Sequence, residues 1–513
     1  MSGSVGRAEA ADHYSSATSP DPTLLEPSGQ QNRRGGKGRC FVDALCLTWR
    51  GPVSAVVASS AAAGSVPADP VRALQHTLYR AAKADPGRRF HALWDKVYRR
   101  DVLWRAWIAV RANEGAPGID RVTLAEVEEY GVIRLLDELA NELRAGRYRP
   151  LPTRRVFIPK PGAKGELRPL SIPSVRDRIV QAATKIVLEP IFEADMLPCS
   201  FGFRPKRGAH DALQVLIDES WRGRRWVVET DIANCFSAIP HDELMRAVEE
   251  RVCDQSVLTL LRVILRAGVM EDGQVRRPVT GAPQGGVISP LLCNVYLHRI
   301  DRVWDVREHG VLVRFADDVL VMCKSREQAE AALARLRVLL AELGLEQKEA
   351  KTRIVHLEVG GAGFDFLGFH HRLLRVTGRR NHRWSVTFLA RWPADRAMEH
   401  ARDRIRELTR RSRLLLRVEV IVEEVNRFVR GWAAYFRYGN SAVRFEKIMH
   451  HVWTRIALVI AKRHKRSRAY GWSVLAYQSP DHFGLISLSG TVVAPRPFKD
   501  WREKPNAGGE RRR

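Results

Sequence analysis

The 513-residue chain is 45% hydrophobic and 28% charged, which excludes wholesale disorder and suits about three structural units of roughly 150 residues each. Its 84 Lys/Arg against 58 Asp/Glu leave a net charge of +26, a surplus that favours a polyanionic partner because neutralising phosphates releases condensed counterions. The 7 cysteines form no Cys-x-x-Cys pair, which argues against a zinc ribbon or a disulfide framework and fits a reducing cytosol.

Residues 1–70 are rich in Ser, Gly, Pro and Ala around a basic knot (Arg33, Arg34, Lys37, Arg39) and read as a disordered, low-complexity N-terminus. No basic-then-apolar secretion signal opens the chain. Residues 51–68 lack charge but are Ala/Ser/Gly-rich, a linker rather than a membrane span. Helical patterning starts near Ala73. Trp94, Val97, Val102, Trp104, Trp107 and Val110 give an aromatic packing face. A turn at Gly115–Gly118 precedes a helix around Val122–Tyr130, and Leu135, Leu136, Leu139 and Leu143 form another helical stripe ended by Gly146.

From Tyr148 the texture is mixed. Short β-type runs (Arg154–Ile158, Trp226–Thr230, Val311–Phe315, Val319–Met322) alternate with helices expected at 176–194, 208–220, 241–251, 256–267, 289–304 and 326–343. The order is α+β rather than a regular βαβ repeat. Past about residue 390 the chain reads as helical and very basic. Residues 371–513 hold 32 Lys/Arg against 12 Asp/Glu, whereas residues 1–370 hold 52 against 46. Ile421, Val425, Phe428, Val429, Trp432, Tyr435 and Phe436 recur at helical spacing as a packing face, with Arg427, Arg430 and Arg437 interleaved. Arg410, Arg411 and Arg413, then Lys462, Arg463, His464, Lys465, Arg466 and Arg468, alternate with Trp432, Tyr435, Trp453 and Trp472. Basic side chains grip phosphates and aromatics stack on unpaired bases, so this region is an expected nucleic-acid contact.

The strongest local signal for chemistry is the run Val311 to Met322, two β-prone stretches flanking Asp317-Asp318. It reads as a hairpin with both carboxylates at its tip. Adjacent half-buried carboxylates repel unless a cation neutralises them, and a hard ion such as Mg²⁺ does so with oxygen ligands. A solvated acidic turn is the plain alternative. A second strand, Arg225 to Thr230, ends in Asp231. If it pairs with the hairpin, three carboxylates meet and could hold two Mg²⁺ about 3.5–4 Å apart, as in-line phosphoryl transfer requires. Otherwise Asp231 merely caps the following helix.

These residues sit among strings that, together and in order, resemble one family. They are Gly115–Asp120, Ile158-Pro159-Lys160 with Arg168–Pro173, Ser200–Pro205, Asp231–Phe236, Gly281–Pro290, Phe315–Asp318, Phe364–Phe369 and Arg430–Phe436. Residues ~115–370 resemble the reverse-transcriptase domain of bacterial group II intron-encoded proteins, and ~390–475 resemble their maturase-specific thumb region. One departure is small: Phe315 stands where Tyr is commoner.

The resemblance implies a right-hand polymerase, fingers and palm with an antiparallel sheet (71–370), an all-helical thumb and maturase domain (371–475) and a basic C-terminal tail (476–513). Asp231, Asp317 and Asp318 would be the catalytic, metal-binding trio, with two Mg²⁺ and Mn²⁺ as a possible substitute. Lys160 and Arg168 would grip the incoming dNTP, Phe236 would exclude a 2′-hydroxyl, Gln284 would approach the nucleotide, and Lys351 would donate a proton near the leaving phosphates. The partners implied are intron RNA, a DNA primer or target and dNTPs, without a membrane, in a bacterial cytoplasm. No Cys follows Cys323, so a zinc-dependent nuclease module is not expected. Two other functions stay open, a maturase without essential polymerase activity and a defence-associated or retron-like reverse transcriptase. The Arg430–Phe436 string weighs against the latter.

Overall fold

The computed structural model describes residues 69–159, 167–271, 274–276, 279–281, 284–377, 385–477 and 483–498. Expectations for residues 1–68, and for Lys160, lie outside them. The first described helix, Pro70–Ala84, starts where Asp69 Oδ1 accepts the N–H groups of Val71 and Arg72, both at 3.1 Å, with proline opening the first turn. Helices Arg100–Ala112 and Val132–Arg144 bury Trp107, Leu139 and Leu143 in a core shared with Val175–Glu193, a helix buried on nearly every side.

Strand β1 (Thr153–Pro159) pairs antiparallel with β2 (Leu167–Ile172). β3 (Trp226–Asp231) lies in a separate sheet. β4 (Val269–Glu271) runs parallel to β1 and antiparallel to β5 (Gln274–Arg276), giving the order β2-β1-β4-β5. β6 (Val311–Phe315), β7 (Asp318–Cys323) and β8 (Arg353–His356) join β3 in an antiparallel sheet of order β6-β7-β3-β8. This sheet is apolar on both faces. Val228, Val319 and Val321 face the helical core, and the alternating Val227, Leu320 and Met322 face a second core with Phe364, Ile421 and Phe445. A charged side chain in such a sheet must therefore sit at its end or be paired.

From residue 371 the chain departs from the expected all-helical course. β9 (Phe364–Phe366), β10 (Phe369–Thr377) and β11 (Ser385–Pro393) form a third antiparallel sheet before the helices Asp395–Leu408, Val418–Phe436, Ala442–Arg463 and Arg468–Tyr477 begin. Two inward polar residues, His371 (1% exposed) and Arg391 (3%), mask the period-two pattern. The basic tail expected from 476 is also partly folded. Leu485 and Leu488 are buried in the second core, Asn426 Nδ2 donates to the Gly484 carbonyl at 2.6 Å, and Val493 N–H donates to the Arg437 carbonyl at 2.7 Å. Phe483, Leu485, Ile486 and Leu488 make that segment apolar, and most of the tail's charge lies after it. No helix among the described residues is long and apolar enough to cross a membrane.

His371 makes a testable point about this junction. Its ring lies edge-on to Phe364 at 4.8 Å, and neither ring nitrogen has a hydrogen-bond partner among the described residues. Burial first, then Arg391 and His370, hold its pKa well below the ordinary 6.5. The unfolded chain therefore takes up a proton here that the folded chain refuses. The stability involved is intact above about pH 6.5 and is lost as pH falls toward the folded value. His371→Phe is expected to flatten this loss and to be more stable than wild type by about 2 kcal/mol at pH 5, by urea unfolding at pH 5 and 7. An unchanged pH slope would mean that the ring is paired.

Candidate active site

β3 and β7 place the acidic residues. Asp231, the last residue of β3, is the direct partner of Asp318, the first of β7. Side chains of opposed residues share one face, with Cβ atoms about 4.5–5.5 Å apart. Asp317 occupies the adjoining β6–β7 turn after Ala316, whose φ is 57°. All three carboxylates feel one another. Burial, then Asp317 and Asp231, push Asp318 up to about 7, and burial together with Asp231 raises Asp317. Arg168 and Lys351 pull both in the opposite direction.

The segment after Leu345 runs back along β3. Lys348 N–H donates to the Asp231 carbonyl at 2.8 Å, and the Thr230 and Thr352 hydroxyls are 2.8 Å apart. This register delivers the Lys351 ammonium to Asp231 Oδ2. Among the described residues no group of three or more His, Cys, Asp or Glu is arranged to hold a metal ion by itself. The Asp231 carboxylate is engaged by Lys351 instead. The donors nevertheless fit a hard divalent cation in kind, because all are oxygens and their mutual repulsion is what such a charge relieves.

The other expected nucleotide contacts among the described residues are Arg168, Phe236 and Gln284. Half-buried Arg168, opposite Ile158 in the β1–β2 hairpin, lies within the field of Asp317 and Asp318. Phe236 is half-buried against the helical core in the short helix Cys235–Ala238. Gly281, at φ +90°, packs so tightly on that helix that a Cβ would come 2.9 Å from Ser237 Cα and 3.0 Å from the Phe236 carbonyl oxygen. The Gln284 carbonyl accepts the Ser171 N–H at 2.7 Å, and its side-chain Oε1 is buried with no hydrogen-bond partner among the described residues. Gly281 thus packs on the Phe236 helix, and Gln284 on β2. Arg204, in the Ser200–Pro205 string, binds Glu193 Oε1 at 2.7 Å and the Ser200 carbonyl at 2.7 Å, a structural use of its charge.

Sequence reasoning passed over Arg314, Asn294 and Asp301. The signal was present. An arginine within an apolar strand needs a buried partner, and Asn294 and Asp301 lie seven residues apart on one helix face.

Most basic residues of the last helices are exposed. Arg410 and Arg411 are exposed before Val418–Phe436, while Arg413 is held by Glu424 at 2.7 Å. Arg463 Nη1 donates to the Leu416 carbonyl at 2.8 Å, and Arg455 Nη2 to the Thr409 carbonyl at 3.1 Å. These bonds set Lys462, Arg463, Lys465 and Arg466 beside the 410–417 loop, all four exposed. Arg430 and Arg437 are exposed on their helix, whereas the intervening Trp432 and Phe436 are core.

Residues 158–371 match the family profile described as reverse transcriptase (RNA-dependent DNA polymerase), and residues 398–477 match group II intron, maturase-specific domain. Protein YkfC of Escherichia coli (strain K12) is 35% identical over 346 residues, 60% of this chain and 89% of that protein. The group II intron-encoded protein LtrA of Lactococcus lactis subsp. cremoris is 34% identical over 235 residues, 45% of this chain but only 38% of its own length. A 91 kDa protein in the cob intron of Schizosaccharomyces pombe is 26% identical over 456 residues, 75% of this chain and 55% of that protein.

Proposed function

Because this chain belongs to the group II intron-encoded reverse transcriptase/maturase family, we propose that it copies RNA into DNA and also binds its intron RNA to assist splicing and mobility. The supporting observation is the juxtaposition of Asp231 and Asp318 across β3–β7 with Asp317 in the adjoining turn. In this reading the molecule is a right-hand polymerase, with the β1–β2 hairpin in the fingers, the β3 sheet in the palm and the last helices as thumb. A primer 3′-oxygen forms a bond to the α-phosphorus of a dNTP while the bond to the β-phosphate breaks and pyrophosphate leaves.

Asp231, Asp317 and Asp318 would hold Mg²⁺, or Mn²⁺ in its place. A pair of ions bound there supplies activation of the 3′-hydroxyl and charge neutralisation on pyrophosphate. The forked guanidinium of Arg168 and the ammonium of Lys160 orient the triphosphate. Lys351 neutralises Asp231 in the present state and is the proposed proton source for the leaving group. Phe236 blocks a 2′-hydroxyl by bulk. The exposed cations at 410–411, 430, 437 and 462–466 bind the RNA backbone and stabilise folded intron RNA by mass action.

Primer extension on poly(rA)/oligo(dT) with dTTP and Mg²⁺ tests the polymerase half. DNA synthesis is expected, and none would favour an RNA-binding maturase without polymerase activity. Phe236→Ala is expected to raise incorporation of UTP relative to dTTP by roughly tenfold to a hundredfold, since the barrier is steric. Unchanged discrimination would make Phe236 a packing residue only.

A further inference from the structure

Arg314 lies on β6, two residues before Ala316, and its side chain is 1% exposed. Its guanidinium is saturated. Nε donates to Asp301 Oδ1 at 2.9 Å, and Nη2 donates to Asp301 Oδ2 at 2.5 Å and to Ser200 Oγ at 2.9 Å. Nη1 donates to Asn294 Oδ1 and to the Ala316 carbonyl, both at 3.0 Å. Guanidinium has five N–H donors, and these five bonds use them all.

The acceptors come from three separate stretches. Ser200 belongs to a segment that pairs with the outer edge of β6, where Arg314 N–H donates to the Cys199 carbonyl at 2.8 Å and Phe201 N–H to the Arg314 carbonyl at 2.9 Å. Asn294 and Asp301 project from the helix Ser289–Val303, and Ala316 belongs to the acidic turn itself. At φ 57° Ala316 is in the left-handed region, which a residue with a Cβ keeps only where its surroundings enforce it. Those surroundings are specific. A Cβ on Gly202 would come 2.4 Å from the Ala316 nitrogen, and Asn294 Nδ2 pins the Gly202 carbonyl at 2.7 Å. A buried ion pair is a weak source of stability compared with apolar packing, so its use here points to fixing a conformation.

We propose that Arg314 is a positioning residue for DNA synthesis: its fork locks the strained Ala316–Asp317 turn against the Ser289–Val303 helix, so that Asp317 and Asp318 keep their place opposite Asp231. The role rests on the polymerase assignment of those three carboxylates. Lysine cannot replace it, because an ammonium is a point donor that cannot span Asp301, Asn294, Ser200 and the Ala316 carbonyl together.

The test compares wild type, Arg314→Lys and Asn294→Ala on poly(rA)/oligo(dT) with dTTP across a Mg²⁺ titration. Primer–template affinity and thermal unfolding are measured on the same samples. Arg314→Lys is expected to lower kcat by about tenfold or more and to raise the half-maximal Mg²⁺ concentration by about threefold, with dTTP KM and primer–template Kd within about twofold. Asn294→Ala, which removes one acceptor and releases Gly202, follows in the same direction with a loss of about threefold. Wild-type kcat and Mg²⁺ dependence in Arg314→Lys would overturn the proposal. So would a loss of kcat that merely tracks falling Tm and primer–template affinity. If Arg314→Lys does not fold, Asn294→Ala decides by the same criteria. A wild-type protein that makes no DNA would instead overturn the polymerase assignment, an outcome distinct from an active wild type with an unaffected Arg314→Lys.

Discussion

Asp317→Asn is expected to lower DNA synthesis by about a thousandfold or more while the protein stays folded and binds RNA as before. The substitution is isosteric, so the β6–β7 turn keeps its shape. It removes a charge that burial and Asp231 already penalise, and Asp318, pushed up to about 7 by burial, Asp317 and Asp231, is relieved. Folding is therefore expected to be unaffected or slightly favoured, and the loss falls on the capacity to hold a divalent cation. Primer extension together with urea unfolding checks this. Synthesis above a tenth of wild type, or a parallel loss of stability, would contradict it.

The second large effect concerns how the molecule is held together. Phe445 is 2% exposed on the helix Ala442–Arg463, with its ring centroid 5.4 Å from that of Trp432. The core it belongs to also contains Val227, Leu320 and Met322 from the strands that carry the acidic residues. Phe445→Ala is expected to cost about 3–5 kcal/mol and to weaken DNA synthesis and RNA binding together, because both depend on one apolar core. Truncation near residue 390 would strip the same core from the strands, so it cannot separate the two activities. Single substitutions of exposed cations such as Lys462 and Lys465 can. Urea unfolding followed by activity and by fluorescence measures the effect. A polymerase half that survives Phe445→Ala unchanged would contradict the shared core.

Much of the site is visible in the sequence for a local reason. The Val311–Met322 run alternates between two buried faces and breaks at two aspartates, so a hairpin with an acidic tip follows from periodicity alone. Its pairing with Asp231, 86 residues earlier, is non-local, so periodicity alone does not specify it. The contacts hidden from inspection are those in which a polar group turns inward. His371 and Arg391 disguise the β10–β11 hairpin, Arg314 looks like an irregularity in a strand, and the engagement of Asp231 by Lys351 depends on the register of a segment 120 residues away. The folded stretch after Phe483 was obscured by the charge that follows it.

Anomalous diffraction from Mn²⁺ in a complex with primer–template and a non-hydrolysable dNTP measures the central claim most directly. The expected result is density for two ions among the carboxylates of Asp231, Asp317 and Asp318, with the Lys351 ammonium withdrawn from Asp231. Ions bound elsewhere, or an Asp231 still held by Lys351 with nucleotide in place, would contradict it.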